Sequence, residues 1–301
     1  RRQAVHHSLR DADAPSGRSG RGLALMFAAT IGFSLMHAAI RHLSGQLHPF
    51  EMAFFRNVFG LLVMGPILLR YGLAPLRTAR FPLHSLRAIL NLVAMLCFFY
   101  ALSITPLADV AALSFMAPLF ATVLAVLVLG EIVRIHRWSA ILFGFAGAFV
   151  AIRPGFEDVG LGPVLLLAQA AVWGATLIVI KILCRTESSV TIAAYTVLLM
   201  IPLSAGPALM HWQTPTLEQL AWLALIGVLG TIAQMLMTQA LKETEATLVL
   251  SLDFFKLVWA TMLGYWLFGE VPDEFTWIGG VMIFASATYI AYREARLRKM
   301  G

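Results

Sequence analysis

Charge is scarce in this sequence. Only 13% of its 301 residues are Asp, Glu, Lys or Arg, whereas 59% are hydrophobic, and the mean hydropathy is +0.81. A soluble domain carries roughly a quarter charged residues, most of them on its surface. The composition therefore excludes an ordinary water-soluble domain and indicates a chain surrounded mostly by lipid. Its length supplies about ten membrane-spanning helices of ~20 residues each.

The sequence contains only two cysteines and none of the common catalytic motifs. Cys97 and Cys184 both lie in apolar segments, where a thiol behaves as a small buried hydrophobic group, so we expect neither a disulfide nor a metal site. No CxxC, HExxH or GxSxG pattern occurs, and the scattered Ser, His and Asp residues show no nucleophile-and-base spacing. We expect no catalytic residues, no metal and no cofactor, and therefore not an enzyme. Nucleic acid is not an expected partner, because no soluble basic module carries the net charge of +6.

Ten apolar runs are long enough to span a bilayer: 22–40, 50–69, 83–103, 107–129, 137–152, 160–183, 190–211, 217–240, 246–268 and 274–292. A backbone in lipid must satisfy its own hydrogen bonds, so these runs predict helices and an all-α polytopic membrane protein. Pro66, Pro118 and Pro202 lie inside the runs, and we expect each to kink its helix.

The basic residues predict the orientation. Residues 1–21 are polar and contain Gly, Pro and Ser, so we expect a disordered tail; residues 294–301 form a second, basic tail. If ten helices are assumed, all but four of the 22 Lys and Arg residues fall on the side of the N-terminus, and the four exceptions are Arg41, Arg56, Arg153 and Lys256. The positive-inside rule then places both termini in the cytoplasm.

One stretch of sequence occurs twice. ATVLAVLVLGEIVRIHRW at 121–138 returns as ATMLGYWLFGEVPDEFTW at 260–277, with Ala-Thr, Gly-Glu and Trp at the same spacing. Sliding the chain by about 140 residues aligns the first five spans with the last five. Because five is odd, the second copy must cross the membrane in the opposite sense, which predicts inverted repeats at 22–153 and 154–293 around a central cavity.

The repeated Gly-Glu pair carries a local prediction. Gly130 and Gly269 are expected to end their helices in the left-handed conformation. Glu131 and Glu270 would then cap the start of the next helix, the first on the cytoplasmic side and the second outside.

The segments 100–155 and 240–294 resemble the EamA-type repeat of the drug/metabolite transporter superfamily. The resemblance rests on small residues, a mid-helix Pro118, a terminal Gly-Glu, and an arginine in the second helix, Arg56 in FFRNVFG. It implies a ten-helix transporter of small metabolites, placed in the bacterial inner membrane and often working outward. The second copy departs from the pattern, because Leu257 replaces the proline and Asp253 and Lys256 are added.

The resemblance leads us to expect secondary transport of an amino acid, an aromatic one being a candidate, toward the outside. An importer or exchanger of a cofactor-like metabolite, such as S-adenosylmethionine or riboflavin, is the alternative. An ion channel would need a ring of like charges or a carbonyl filter, and no such pattern is visible. The expected partners are a small molecule and the lipid bilayer. We expect a monomer, with a dimer as the alternative.

Charged residues inside the spans are the strongest candidates for the site. Asp253 and Lys256 lie near the middle of the ninth span at i, i+3, so they share a helix face and can pair. They form either a site for a zwitterion, with Lys256 facing the carboxylate, or a structural salt bridge. Arg56 either attracts a carboxylate or, as we favour, clamps a helix end near Glu51 and Asp109.

Further candidates are polar and aromatic residues at mid-span: Ser34, His37, Asn91, Met95, Tyr100, Ser114, Phe115, Trp173, Thr231, Gln234 and Phe254. Aromatics mixed with a few polar groups suit an amphipathic ligand, although each aromatic taken alone is more typical of helix packing. Glycines at 144, 147, 279 and 280 are expected to form close packing faces within the chain, with a dimer face as the alternative.

Overall fold

The computed structural model describes residues 15–71, 78–130, 135–153, 160–187, 189–243 and 252–298. Within these ranges the chain forms helices and no strands, which confirms the all-α prediction. The helices are α1 (Pro15–Leu43), α2 (Pro49–Tyr71), α3 (Phe81–Ile104), α4 (Leu107–Ser114), α5 (Ala117–Leu129), α6 (Ile135–Ile152), α7 (Leu161–Leu183), α8 (Ser189–Leu209), α9 (Leu217–Glu243), α10 (Phe255–Phe268) and α11 (Glu274–Arg298).

Each predicted span coincides with helix in the described residues. Seven stretches are long and apolar enough to cross a membrane: 20–43, 81–104, 107–128, 161–183, 191–209, 217–241 and 274–293. Two shorter apolar helices cover 138–152 and 255–268, and α2 is 23 residues long. The fourth predicted span contains α4 and α5. The ninth begins in residues outside those described and continues as α10.

Two local expectations need correction. Helix α1 begins at Pro15, so the N-terminal segment expected to be disordered is helical from there, and residues 1–14 lie outside the described ranges. Cys184 is exposed just after α7 rather than buried, whereas Cys97 is half-buried.

The fourth span is interrupted in its middle by a short turn whose backbone stays in the right-handed helical region, which fits the kink predicted at Pro118. Helix α4 ends at Ser114, and α5 begins at Ala117 after a turn at Phe115 and Met116. Pro118 lies in the first turn of α5 and has no N–H to donate to the carbonyl of Ser114, four residues earlier. The proline therefore explains the break. Pro66 and Pro202 lie inside continuous helices, α2 and α8.

The ninth span breaks at the equivalent position without a proline. Phe254, which aligns with Phe115, forms a turn immediately before α10. The N–H of Leu257 donates to the carbonyl of Phe254 at 2.9 Å, a tight i→i−3 turn. The two breaks meet at one side chain of α11: the ring centroids of Phe115 and Phe254 lie 5.6 and 4.8 Å from that of Phe284.

Glycines bring helices into close contact inside the chain. A Cβ added at Gly147 of α6 would lie 2.7 Å from the Cβ of Met282 and 2.9 Å from the carbonyl oxygen of Gly279, both on α11. A Cβ added at Gly279 would lie 2.7 Å from the Cβ of Ala151. Gly147 and Gly279 therefore pack α6 against α11, and Gly280 packs on Leu257 and Ala112, as expected of intramolecular packing rather than of a dimer face.

Three of the contacts between helices have a matched counterpart in the other half of the chain. Helix α1 packs on α9 as α3 packs on α7, α2 packs on α9 as α3 packs on α8, and α1 packs on α10 as α5 packs on α7. If every helix is replaced by the helix five spans away in the chain, each of these contacts turns into the other contact of its pair. The sequence duplication is thus accompanied by a duplicated set of helix contacts.

The left-handed conformation predicted for the two glycines of the Gly-Glu pairs is confirmed. The capping role predicted for Glu270 is wrong. Gly130 and Gly269 have φ values of 65° and 66°, in the left-handed region. Glu270 does not cap the next helix, since Asp273 does so by accepting the N–H of Thr276 at 2.8 Å. Its Oε2 accepts the N–H of Leu107 at 2.8 Å and so caps α4, while its Oε1 pairs with Arg41 at 3.1 Å. Glu131 lies outside the described residues.

Candidate functional site

Asp253 and Lys256 form an ion pair at the break of the ninth span. The Nζ of Lys256 lies 2.6 Å from the Oδ1 of Asp253, and each side chain keeps about a fifth of its surface exposed. Asp253 lies before the turn and Lys256 in the first turn of α10, so the break holds one charge on each side. Charges at this depth in a membrane protein are rare and typically mark ligand or ion sites.

Helix α1 faces this ion pair with an aromatic ring and an imidazole. The Nζ of Lys256 lies 4.7 Å from the ring centroid of Phe33, within the range of a cation–π contact. His37, one turn further along α1, packs its ring 5.0 Å from that of Phe98. Arg56 of α2 comes close to the same part of α1, since its Nε and the Sδ of Met36, the residue before His37, both lie within 3.5 Å of a Cβ added at Gly230. We therefore group four side chains, His37, Arg56, Asp253 and Lys256, as the central polar cluster.

Arg56 enters the cluster from α2 and has no carboxylate partner among the described residues. Its Nη1 lies 3.8 Å from the Sδ of Met95 on α3, and sulfur is a weak acceptor. Its guanidinium lies beside Gly230 of α9, where an added Cβ would be 3.4 Å from Nε and 3.7 Å from Nη2. The expected partners are engaged elsewhere: Glu51 accepts the N–H of Gln213 at 3.3 Å, and Asp109 accepts the hydroxyl of Thr276 at 2.6 Å. The clamp that we favoured from the sequence is therefore wrong for those two carboxylates.

Asn57 supports the same region from the next position of α2. It is buried, and its Nδ2 lies 3.2 Å from the Oγ of Ser204 on α8 and 3.8 Å from the Sδ of Met95. Sequence reasoning did not single out Asn57, Ser204 or Phe33. An amide beside an arginine in an apolar helix was the one signal that would have pointed to Asn57.

Other predicted site residues surround the breaks. The hydroxyl of Ser114 donates within its own helix to the carbonyl of Val110 at 2.6 Å. Phe115 and Phe254 contact Phe284, as described above. Trp173 is half-buried on α7 and packs against the main hydrophobic core. Ser114, Phe115 and Phe254 therefore form the walls of the break region rather than its charged part, whereas Trp173 belongs to the core.

The remaining predicted residues lie on α1, α3 and α9. Ser34 is 2% exposed, and its Oγ has no hydrogen-bond partner among the described residues. Asn91 is half-buried on α3. Thr231 faces α2, where its Oγ1 would lie 2.9 Å from a Cβ added at Gly60. Gln234 is exposed on α9, so its side chain points away from the helix contacts that bury its neighbour Ala233.

Tyr100 belongs to a different region, the far end of the bundle, which we define by the α1–α2 connection at residues 44–48. There the rings of His48 and His211 stack at 3.8 Å with an interplanar angle of 13°, and Tyr100 lies 6.2 Å from His48. Burial, with a smaller contribution from His211, lowers the pKa of His48 below its ordinary value of 6.5. No three His, Cys, Asp or Glu side chains converge as metal ligands in the part of the chain that the structure describes.

Comparison with known proteins supplies the family. The model of the EamA-like transporter family matches residues 20–153 and again residues 160–292. The chain is 30% identical to the S-adenosylmethionine uptake transporter of Rickettsia bellii, over 91% of this chain and 94% of the relative. It is 31% identical to the riboflavin transporter of Vibrio cholerae, over 92% and 94%. It is 28% identical to the pseudopaline exporter of Pseudomonas aeruginosa, over 87% and 93%.

A solved crystal structure shares the fold. It covers 94% of this chain and 100% of its own length with a TM-score of 0.62, at 20% sequence identity. At that identity the likeness concerns the arrangement of the helices alone.

Proposed function

The chain belongs to the EamA-like transporter family, and on that premise we propose that it is a secondary transporter of a small amphipathic metabolite with an amino-acid head group. Its ten spans would form two inverted five-helix repeats, at 22–153 and 154–293. Rocking of the two repeats would open a central site to each side of the membrane in turn.

One observation carries the proposal: the Asp253–Lys256 ion pair lies at the break of a transmembrane helix, 2.6 Å apart and partly exposed. Broken helices near mid-membrane are where transporters of inverted-repeat architecture place their substrates. Asp253 offers an anion to an amino group, and the surrounding Phe33, Phe254 and Phe284 offer apolar surface. Aromatic walls with a few convergent polar groups fit an amphipathic ligand.

The relatives are named for S-adenosylmethionine, riboflavin and pseudopaline rather than for a simple amino acid, so the alternative of a cofactor-like metabolite fits about as well as the amino acid expected from the sequence. S-adenosylmethionine combines an amino-acid head group with a flat heteroaromatic ring, so it fits both the charged pair and the aromatic walls. Riboflavin would use the aromatic walls alone. Export, expected from the sequence, is supported by the relative named an exporter and opposed by the relatives named for uptake, so the direction is a matter for the assay.

We propose that the protein lies in the inner membrane with both termini in the cytoplasm, as the positions of its basic residues indicate. We also propose that the monomer is the working unit. The glycine faces that could have joined two copies are used inside the chain, between α6 and α11.

The proposal is tested by reconstituting the purified full chain into liposomes and measuring uptake of a labelled panel. The panel contains L-phenylalanine, L-tryptophan, L-methionine, S-adenosylmethionine and riboflavin, each with and without a pH gradient. We expect saturable uptake of at least one panel member that bears an amino-acid head group. Currents carried by inorganic ions, with no saturable uptake of any member, would show a channel instead.

A further inference from the structure

The central polar cluster contains one more positive charge than negative. Asp253 is paired with Lys256 at 2.6 Å, which leaves Arg56 without an anion among the described residues. The other acidic side chains considered near α2 are engaged elsewhere, Glu51 with the backbone of Gln213 and Asp109 with Thr276. In surroundings of low dielectric constant, an uncompensated guanidinium strongly attracts a mobile anion.

The guanidinium of Arg56 is also held in place. Helix α9 approaches α2 closely at Gly227, where an added Cβ would lie 3.2 Å from the carbonyl oxygen of Arg56. At Gly230, one turn further along α9, an added Cβ would lie 3.4 and 3.7 Å from the Nε and Nη2 of Arg56, so the guanidinium packs directly on this glycine. On the other side, Nη1 rests on the Sδ of Met95 at 3.8 Å, a contact that Asn57 shares. Sulfur is a poor acceptor for a guanidinium, which can donate five hydrogen bonds. The donors of Arg56 are therefore positioned but poorly satisfied.

If Arg56 only joined helices, its N–H groups would donate hydrogen bonds to acceptors of the protein. Arg41, by comparison, pairs with Glu270 at 3.1 Å and also donates to the carbonyl of Ser103, as an arginine that joins helices does. Arg56 makes no such contact with a carboxylate or a backbone carbonyl in the described ranges. An arginine with a planar set of donors and no protein acceptor is suited to a carboxylate, which it can bind through two parallel hydrogen bonds.

We infer that Arg56 binds the carboxylate of the transported metabolite, so that the substrate class is restricted to molecules that carry a carboxylate. The inference rests on the proposed function and refines it. It assigns the carboxylate to Arg56 rather than to Lys256, and it leaves Asp253 for the substrate's amino group. Lys256 then positions Asp253 and is itself held over the ring of Phe33. A metabolite without a carboxylate would leave the positive charge of Arg56 uncompensated and is excluded.

The test compares Arg56→Gln and Arg56→Lys with wild type in proteoliposomes. Arg70→Gln is the matched control, since Arg70 lies on the same helix in its exposed last turn. The probes are L-phenylalanine, L-tryptophan and L-methionine, each with its carboxamide, which keeps the amino group and loses the anion. For each variant, the folded yield is measured by size-exclusion chromatography, and the concentration giving half-maximal uptake or competition is measured for acid and amide.

We expect wild type to prefer acid over amide, and Arg56→Gln to lose roughly 30-fold in apparent affinity for the acid, the usual range for one lost charge-assisted contact. The affinity for the amide should change less than threefold, so the preference disappears. Arg56→Lys should retain part of it, and Arg70→Gln should behave as wild type. The folded yield should be equal in all four proteins.

Three results would overturn the inference. If Arg56→Gln keeps the wild-type preference for the acid, the carboxylate is bound elsewhere, although the proposed function stands. The same holds if wild type carries riboflavin, the panel member without a carboxylate, as well as it carries the amino acids. If reconstituted wild type transports no member of the panel, the proposed function itself fails and the inference fails with it.

Discussion

The two halves of the protein break a transmembrane helix at equivalent positions by different local chemistry. In the first half Pro118 removes a backbone donor, and the helix stops at Ser114. In the second half Leu257 occupies that position, yet the helix turns at Phe254. Ser114 and Ala117 of the first half correspond to Asp253 and Lys256 of the second. The break therefore belongs to the duplicated fold, whereas the charges belong to one copy alone.

This difference indicates a division of labour between the halves. Both breaks supply irregular backbone and a phenylalanine that packs on Phe284. Only the second supplies charge, and that charge lies opposite Arg56 and His37 of the first half. We therefore expect substitutions at equivalent positions to have unequal effects, and the following experiments measure that inequality.

The largest effect is expected at the charged pair. Asp253→Ala and Lys256→Ala should each reduce the uptake rate by about 30-fold or more, because the first removes a ligand contact, the second removes the partner that positions Asp253, and each leaves a half-buried charge unpaired. Ser114→Ala, the matched change in the first half, removes only a hydroxyl bonded to its own helix and should reduce uptake less than twofold. The readout is initial uptake normalised to folded protein.

Exchanging the two charges separates binding from structure. Asp253→Lys combined with Lys256→Asp keeps an ion pair at i, i+3, so the folded yield should recover relative to the single variants. Transport should not recover, since the carboxylate has moved. Recovery of both together would reassign the pair to a purely structural role.

A smaller effect is expected when the first break is repaired. Pro118→Ala restores the backbone donor and removes a residue that disfavours helix by about 3 kcal/mol, so α4 and α5 can join. The uptake rate should fall about fivefold while thermal stability is unchanged or higher, because a continuous helix resists rearrangement at the break. Pro66→Ala, inside the continuous helix α2, is the control. A wild-type rate for Pro118→Ala would show that the first break is not needed for transport.

A third effect, on stability alone, is expected at the contact through which Glu270 of the second half caps α4 of the first half. Glu270 joins Arg41 and the N–H of Leu107, so Glu270→Gln and Arg41→Gln should each lower the unfolding temperature by a few degrees. In a double-mutant cycle the pair should show a coupling of about 1–2 kcal/mol, as contacting residues do. Additive effects of the two changes would contradict the ion pair.

The smallest effect is expected in the pH dependence of thermal stability, and it comes from His48 at the far end of the bundle. The lowered pKa of His48 means that the folded state binds fewer protons than the unfolded chain near this residue. The contribution of the neutral His48 side chain to the free energy of unfolding is therefore fully present above pH 6.5, and it is lost as the pH falls below that value. Because His48 is only partly buried, we expect about 1–2 °C of additional loss in Tm between pH 7 and pH 5. His48→Gln should remove this loss and His42→Gln should not; an unchanged pH profile in His48→Gln would contradict the assignment.

The sequence predicted the features that depend on local pattern. Long apolar runs predicted the spans, the i, i+3 spacing predicted the contact of Asp253 with Lys256, and Gly130 and Gly269 predicted the left-handed corners. Features that depend on distant packing were missed. Glu270 caps a helix 163 residues away in the chain, and the place of Arg56 depends on how α9 packs on α2 at Gly227 and Gly230. The break at Phe254 was missed because no proline marks it.

The central claim, that the two halves cross the membrane in opposite senses, is tested most directly by labelling the equivalent corners. In a background with Cys97→Ser and Cys184→Ser, single cysteines replace Ile135 and Val271, which are 75% and 77% exposed. A maleimide that cannot cross membranes is applied to intact cells and to inverted vesicles. The account predicts that Val271→Cys reacts from outside the cell and Ile135→Cys from the cytoplasmic side. Reaction of both cysteines from the same side would contradict it.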